Sequence, residues 1–149
     1  MVSNMTEAGK LRPPGAPEIA ISEDDIAHIE ALAERALQRN PALAARLLDE
    51  IGRARVVPAG ELPKNVVSIG STVIYRDDTT GYGKTVTLVY PEDADMTRRR
   101  VSVVSPIGVA LLGLAEGEAF YWNTRDNRRR MLTVISVHQP SETVEDEEW

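Results

Sequence analysis

The apolar pattern of this chain changes period once, and that change constrains the fold more than any other feature. Before residue 55 apolar side chains recur at intervals of three and four; from Val56 onward they alternate with polar ones at every second position. The first spacing is that of an α-helix with one buried face, the second that of a half-buried strand. Helices that precede a block of strands, without alternating with them, make an α+β protein.

Two helices are expected in the first half. Ser22 is a good N-cap, and Glu23, Asp24 and Asp25 follow where the helix dipole favours negative charge. Ile26, Ile29, Ala33, Ala36 and Leu37 then continue the stripe to about residue 38. Asn40 and Pro41 supply a second cap and a proline at a first helical position, before the stripe of Leu43, Leu47, Leu48 and Ile51 ends near Gly52. So short a link folds the two back as an antiparallel pair, a short coiled coil. Neither has more than about five turns, so each depends on burying its stripe against the other or against the C-terminal domain. The pair reads as an appendage.

Pro58, Gly60 and Pro63 mark a connector. Strands are expected at residues 71–76, 84–90, 100–104, 118–122 and 130–138, with turns at 77–83 and 123–127. The run PIGVALLG at 106–113 is too apolar for a loop and fits a short buried helix on the sheet. The expected architecture is a helical hairpin at 21–55, a linker at 56–65 and an antiparallel sheet with one short helix at 66–140. Residues 1–20, with Pro13, Pro14 and Pro17, read as an unstructured lead-in, and residues 141–149 as a disordered acidic tail.

Composition narrows the function classes. With 42% hydrophobic and 27% charged residues, no apolar run near the ~20 residues that cross a bilayer and no secretory h-region, a cytoplasmic protein without a membrane partner is expected. The absence of cysteine excludes disulfides and thiolate metal sites. Of the net charge of −6, five units belong to Glu142, Glu145, Asp146, Glu147 and Glu148. The body is nearly neutral, which argues against binding nucleic acid through bulk charge.

The segments LPKNVVSIGSTVIYRD, TLVYPEDAD and VSVVSPIGVALLGL, between Leu62 and Leu114, resemble the C-terminal FKBP-like domain of Gre-type transcription elongation factors, and most nearly their Rnk branch. The likeness continues more weakly through Pro140 and back over the helix pair. It implies RNA polymerase as partner, with the FKBP-like domain docking on the rim of the secondary channel and the hairpin pointing toward that channel. It also implies a docking patch near the Ser-Pro that starts the short helix, at Ser105, Pro106, Ile107 and Gly108. Full Gre factors carry acidic residues on a long hairpin, which help to hold the Mg²⁺ of transcript cleavage. Here the tip is Gln38, Arg39, Asn40 and Pro41, without a carboxylate to offer magnesium. The expectation is a noncatalytic regulator, monomeric, without cofactor or metal, that occupies the channel entrance without stimulating cleavage. An FKBP-like shape leaves a prolyl isomerase or chaperone-like peptide binder as the alternative. That activity needs an aromatic pocket, whereas Phe120, Tyr121 and Trp122 are consecutive and must face alternate sides of a strand.

Other features have plainer readings. Val109, Leu111 and Leu112 are expected in the core, with Ser105, Pro106 and Gly108 at the exposed start of the helix. Glu92, Asp93 and Asp95 read as turn residues that cap their own backbone. Arg98, Arg99 and Arg100 could join Arg128, Arg129 and Arg130 in one basic patch, but charged runs beside strands more often protect sheet edges. His28 and His138 have no partners at ligand or triad spacing, and residues 81–84, GYGK, form a turn, since the rest of a phosphate loop is missing.

Overall fold

The computed structural model describes residues 19–58, 60–123 and 128–140. Most of the expected lead-in, residues 124–127 of the expected 123–127 turn and the whole acidic tail lie outside the described residues. In chain order the elements are β1 (Ala20–Ser22), α1 (Glu23–Ala36), α2 (Pro41–Arg53), β2 (Arg55–Val57), β3 (Thr72–Asp77), β4 (Gly83–Val89), β5 (Arg100–Ser102), α3 (Pro106–Leu111), β6 (Ala119–Asn123) and β7 (Arg129–His138). The α+β reading holds, with both helices and all five expected strands in place.

The caps form as the residue types predict. The Ser22 side chain accepts from the Asp24 N–H at 3.2 Å, and the Asn40 amide oxygen accepts from the Leu43 N–H at 3.4 Å. Between β1 and β2 there is a parallel pairing, Ile21 opposite Val56, that closes the base of the hairpin. This pairing redraws two expected boundaries. Ile19 and Ala20, placed in the unstructured lead-in, are buried, and Val56 and Val57, placed in the linker, belong to a strand. Three residues are too few to show a period, so the sequence carried no signal for either strand.

The main sheet has the order β5-β4-β3-β7-β6. The β3–β4, β3–β7 and β6–β7 pairs are antiparallel, but β4 and β5 run parallel, so the expectation of a wholly antiparallel sheet is corrected at that edge. The cause lies in the connection between them. Two single 3₁₀ turns, Pro91–Asp93 and Met96–Arg98, and the left-handed Arg99 at φ 59° carry the chain back to the starting side before β5 begins.

The hairpin is not a separate body. Ile29, Ala33, Leu47 and Ile51 belong to one apolar cluster with Val67, Val73, Leu88, Leu111, Leu114, Leu132 and Val134. At the base of the hairpin, the Ala20 N–H donates to the Gly113 carbonyl at 3.3 Å. Gly113 has φ +84°, and a Cβ there would stand 2.6 Å from that of Ile19, so glycine is required twice over.

Candidate functional site

The expected docking patch begins where β5 hands over to α3. Ser105 caps α3: its Oγ accepts from the Gly108 N–H at 3.1 Å and donates to the Ser102 carbonyl at 2.7 Å. Pro106 occupies the first turn, where no N–H is needed. Behind it Val109, Ala110, Leu111 and Leu112 are buried, as the apolar run implied. Ser105, Pro106 and Ile107 are half-buried and reach the surface together. Gly108 does not. Sequence reading placed it at the exposed start of the helix, but it is buried, and a Cβ there would stand 2.0 Å from the Ser102 carbonyl oxygen. Gly108 is dictated by close packing of helix on strand, and the surface patch is Ser105, Pro106 and Ile107.

At the far end of the hairpin Leu37, Gln38, Arg39 and Asn40 are exposed. The Asn40 side chain is committed to its cap, and its N–H donates to the Ala36 carbonyl at 2.8 Å. Arg39 is the charged group of this tip. No carboxylate lies among these four residues.

Two cross-links, invisible in the sequence, fix how the hairpin sits on the sheet. The Arg46 guanidinium on α2 donates to the Tyr121 carbonyl on β6 at 2.8 Å and lies 5.2 Å from the centre of the Phe120 ring. Burial pushes the pKa of Arg46 down, and Glu50 works against that shift. On the other helix the Tyr90 hydroxyl donates to Asp25 Oδ1 at 3.1 Å, while His28 stacks on the Tyr90 ring at 4.0 Å and 17°. Burial and then the Asp25 charge push the Tyr90 hydroxyl up to about 12. These contacts span 65 and 75 residues, far outside the spacings a sequence pattern can reveal.

The remaining candidates resolve as structure. Asp95 accepts from the Thr97 N–H at 3.0 Å and from its hydroxyl at 2.6 Å, bonds that hold its carboxyl below the usual range, so it caps its own turn. Among the described residues no group of three or more His, Cys, Asp or Glu converges. The two arginine runs do not form one patch. Arg100 lies on β5 at one edge of the sheet, whereas Arg129 and Arg130 begin β7, beside β6 at the other edge. Arg130 is engaged by Asp77 at 2.6 Å, and Arg129 lies 4.2 Å over the Tyr121 ring. Phe120 is buried under Arg46 while Tyr121 meets Arg129, the alternation expected of neighbours on a strand. No described helix is long and apolar enough to cross a membrane.

Comparison with known proteins agrees with this architecture. The family profile for the C-terminal part of the transcription elongation factor GreA/GreB matches residues 62–139, and that for the Rnk N-terminus matches residues 17–57. The regulator of nucleoside diphosphate kinase of Escherichia coli strain K12 is 31% identical over 130 residues, covering 87% of this chain and 96% of that protein. Transcription elongation factor GreA of Rickettsia felis is 39% identical over 91 residues, 61% of this chain and 56% of that longer one. Among solved structures, the prokaryotic transcription elongation factor GreA/GreB from Nitrosomonas europaea superimposes with a TM-score of 0.63 at 32% identity, covering 82% of this chain and 98% of that one.

Proposed function

The chain belongs to the GreA/GreB transcription elongation factor family, in the form that begins with an Rnk N-terminus, and from that premise we propose that it docks on RNA polymerase beside the secondary channel and regulates transcription without stimulating transcript cleavage. The observation that carries the second half of this reading is the hairpin tip. Helices of 14 and 13 residues at about 1.5 Å per residue reach only about 20 Å. They end in Gln38, Arg39 and Asn40, where a magnesium ion would need carboxylate oxygens. A group of this size and charge can fill or narrow a channel mouth, but it cannot hold the metal that cleavage requires.

The surface patch of Ser105, Pro106 and Ile107 is the proposed anchor. Its support is geometric: the Ser105 cap and the buried Gly108 fix the first turn of α3 rigidly against β5, so that Pro106 and Ile107 are presented without further ordering cost. The peptide-binding alternative gains nothing from the groove beside β4, whose walls include Lys84, Met96 and Arg99 and hold no aromatic side chain.

Stalled elongation complexes test the proposal. Added alone, the protein should leave the nascent transcript intact; added in excess over a cleavage-competent GreA, it should slow the cleavage that GreA stimulates. Shortened transcripts in its presence alone would contradict the reading.

A further inference from the structure

The main sheet leaves one stretch of backbone open. β5 pairs with β4 only at Thr87, Leu88 and Val89, so residues 83–86 have β3 on one side and no described strand on the other. The cause is Arg99, whose left-handed φ of 59° turns the chain just before β5 begins. The Thr87 N–H donates outward to the Arg99 carbonyl at 2.8 Å. Backbone groups alternate in direction along a strand, so those of Thr85 point outward as well. They border a groove of about 380 Å³ walled by Lys84, Val86, Met96, Arg99 and Val101. Lys84 and Arg99 are its charged residues. Asp95, beside Met96 in the chain, is taken up by the Thr97 N–H and hydroxyl and by Arg98 at 3.8 Å. Met96 is 77% exposed, and Tyr82, just before β4, is 71% exposed.

We propose that this edge is a second docking surface, which takes an extended acidic segment of a partner protein as an added strand beside residues 83–86. Backbone pairing selects a polypeptide: the Thr85 N–H and C=O can join the ladder of an incoming strand, whereas the groove holds no aromatic side chain on which a nucleic-acid base could stack. The same lack of an aromatic lining that leaves no prolyl pocket is no obstacle to main-chain pairing. Charge selects the sign, because Lys84 and Arg99 attract carboxylates on a neighbouring strand. A second copy of this chain is disfavoured by the same two residues, since edge-to-edge pairing would bring cations against cations. Lys84 and Val86 share one face of β4, so a carboxylate and an apolar side chain two positions apart on the incoming strand meet both. The groove lies at the start of β5 and the Ser105 to Ile107 corner beyond its end, so this surface is separate from the proposed anchor and does not depend on the polymerase reading.

An NMR titration of the isotope-labelled full chain tests this with a blocked seven-residue threonine peptide that carries glutamate at its second and sixth positions and valine at its fourth. The amides of Lys84, Thr85, Val86, Met96 and Arg99 should shift saturably, and the Thr85 N–H, which exchanges freely without peptide, should become protected. The fully N-methylated peptide, equal in charge but unable to pair, and the peptide with lysine in place of glutamate should each bind roughly tenfold more weakly. Lys84→Glu together with Arg99→Glu should reverse the preference in favour of the lysine peptide, a result that an unfolded variant could not give. Shifts that are absent, centred elsewhere on the sheet or equal for all three peptides would overturn the proposal. So would a Thr85 amide already protected without peptide, since the edge would then be taken by the chain itself or by a second copy.

Discussion

Gly108 sets the tightest steric condition at the candidate site. A Cβ there meets the Ser102 carbonyl oxygen at 2.0 Å and the Val103 Cα at 2.9 Å, both backbone atoms that cannot rotate away. Gly108→Ala should therefore cost roughly 1–3 kcal/mol or more through overpacking, read as a lower urea midpoint at unchanged slope. Ser105→Ala, which removes both the cap and the donor to the Ser102 carbonyl, should cost about 1–2 kcal/mol. Tyr90 gives a pH signature. Its hydroxyl titrates near 12 in the fold, above the ordinary value of 10.0, so the neutral form is favoured by folding. That contribution is fully present below pH 10 and is lost as pH rises through 12. Burial and the Asp77 charge raise the Tyr75 hydroxyl as well, so an absorbance titration at alkaline pH should show a late tyrosine component that shrinks, without vanishing, in Tyr90→Phe. Core membership of Val109, Leu111 and Leu112 was legible from their apolar run. The burial of Gly108 was not, because a glycine between apolar neighbours reads the same whether the missing Cβ faces solvent or a carbonyl.

At the scale of elements, the hairpin and the sheet are joined by a shared core and by two polar clasps, Arg46 to the Tyr121 carbonyl and Tyr90 to Asp25. Replacing Arg46 with alanine leaves the carbonyl unpaired by that donor and should cost on the order of 1.5–3 kcal/mol. Because the clasp ties α2 to β6, amide hydrogen exchange should accelerate first in α2 and β6, with β3 and β4 least affected. Uniform acceleration across the sheet would mean that the clasp does not act locally. Helices and long strands were legible because their periods run over several repeats, and Ser22 and Asn40 announced their own caps. The β1–β2 pair and the parallel direction of β5 were not. Three-residue strands show no period, and strand direction is set by the path of the connection through residues 90–99.

At the scale of the whole molecule, the α3 corner shares one apolar core with a short hairpin whose tip carries Arg39 and no carboxylate. The fold class and the family were readable from the order of motifs between Leu62 and Leu114, because those motifs carry both packing and turn chemistry. The orientation of hairpin on sheet was not, since it rests on contacts between residues 65 and 75 positions apart. The direct test is equilibrium binding of the purified chain to core RNA polymerase, alone and against a cleavage-competent GreA, with Pro106→Glu as the altered anchor. The account predicts saturable binding that GreA displaces and that Pro106→Glu weakens at least tenfold, with the variant still folded by circular dichroism. Absence of binding at micromolar concentrations, or binding indifferent to GreA, would contradict it.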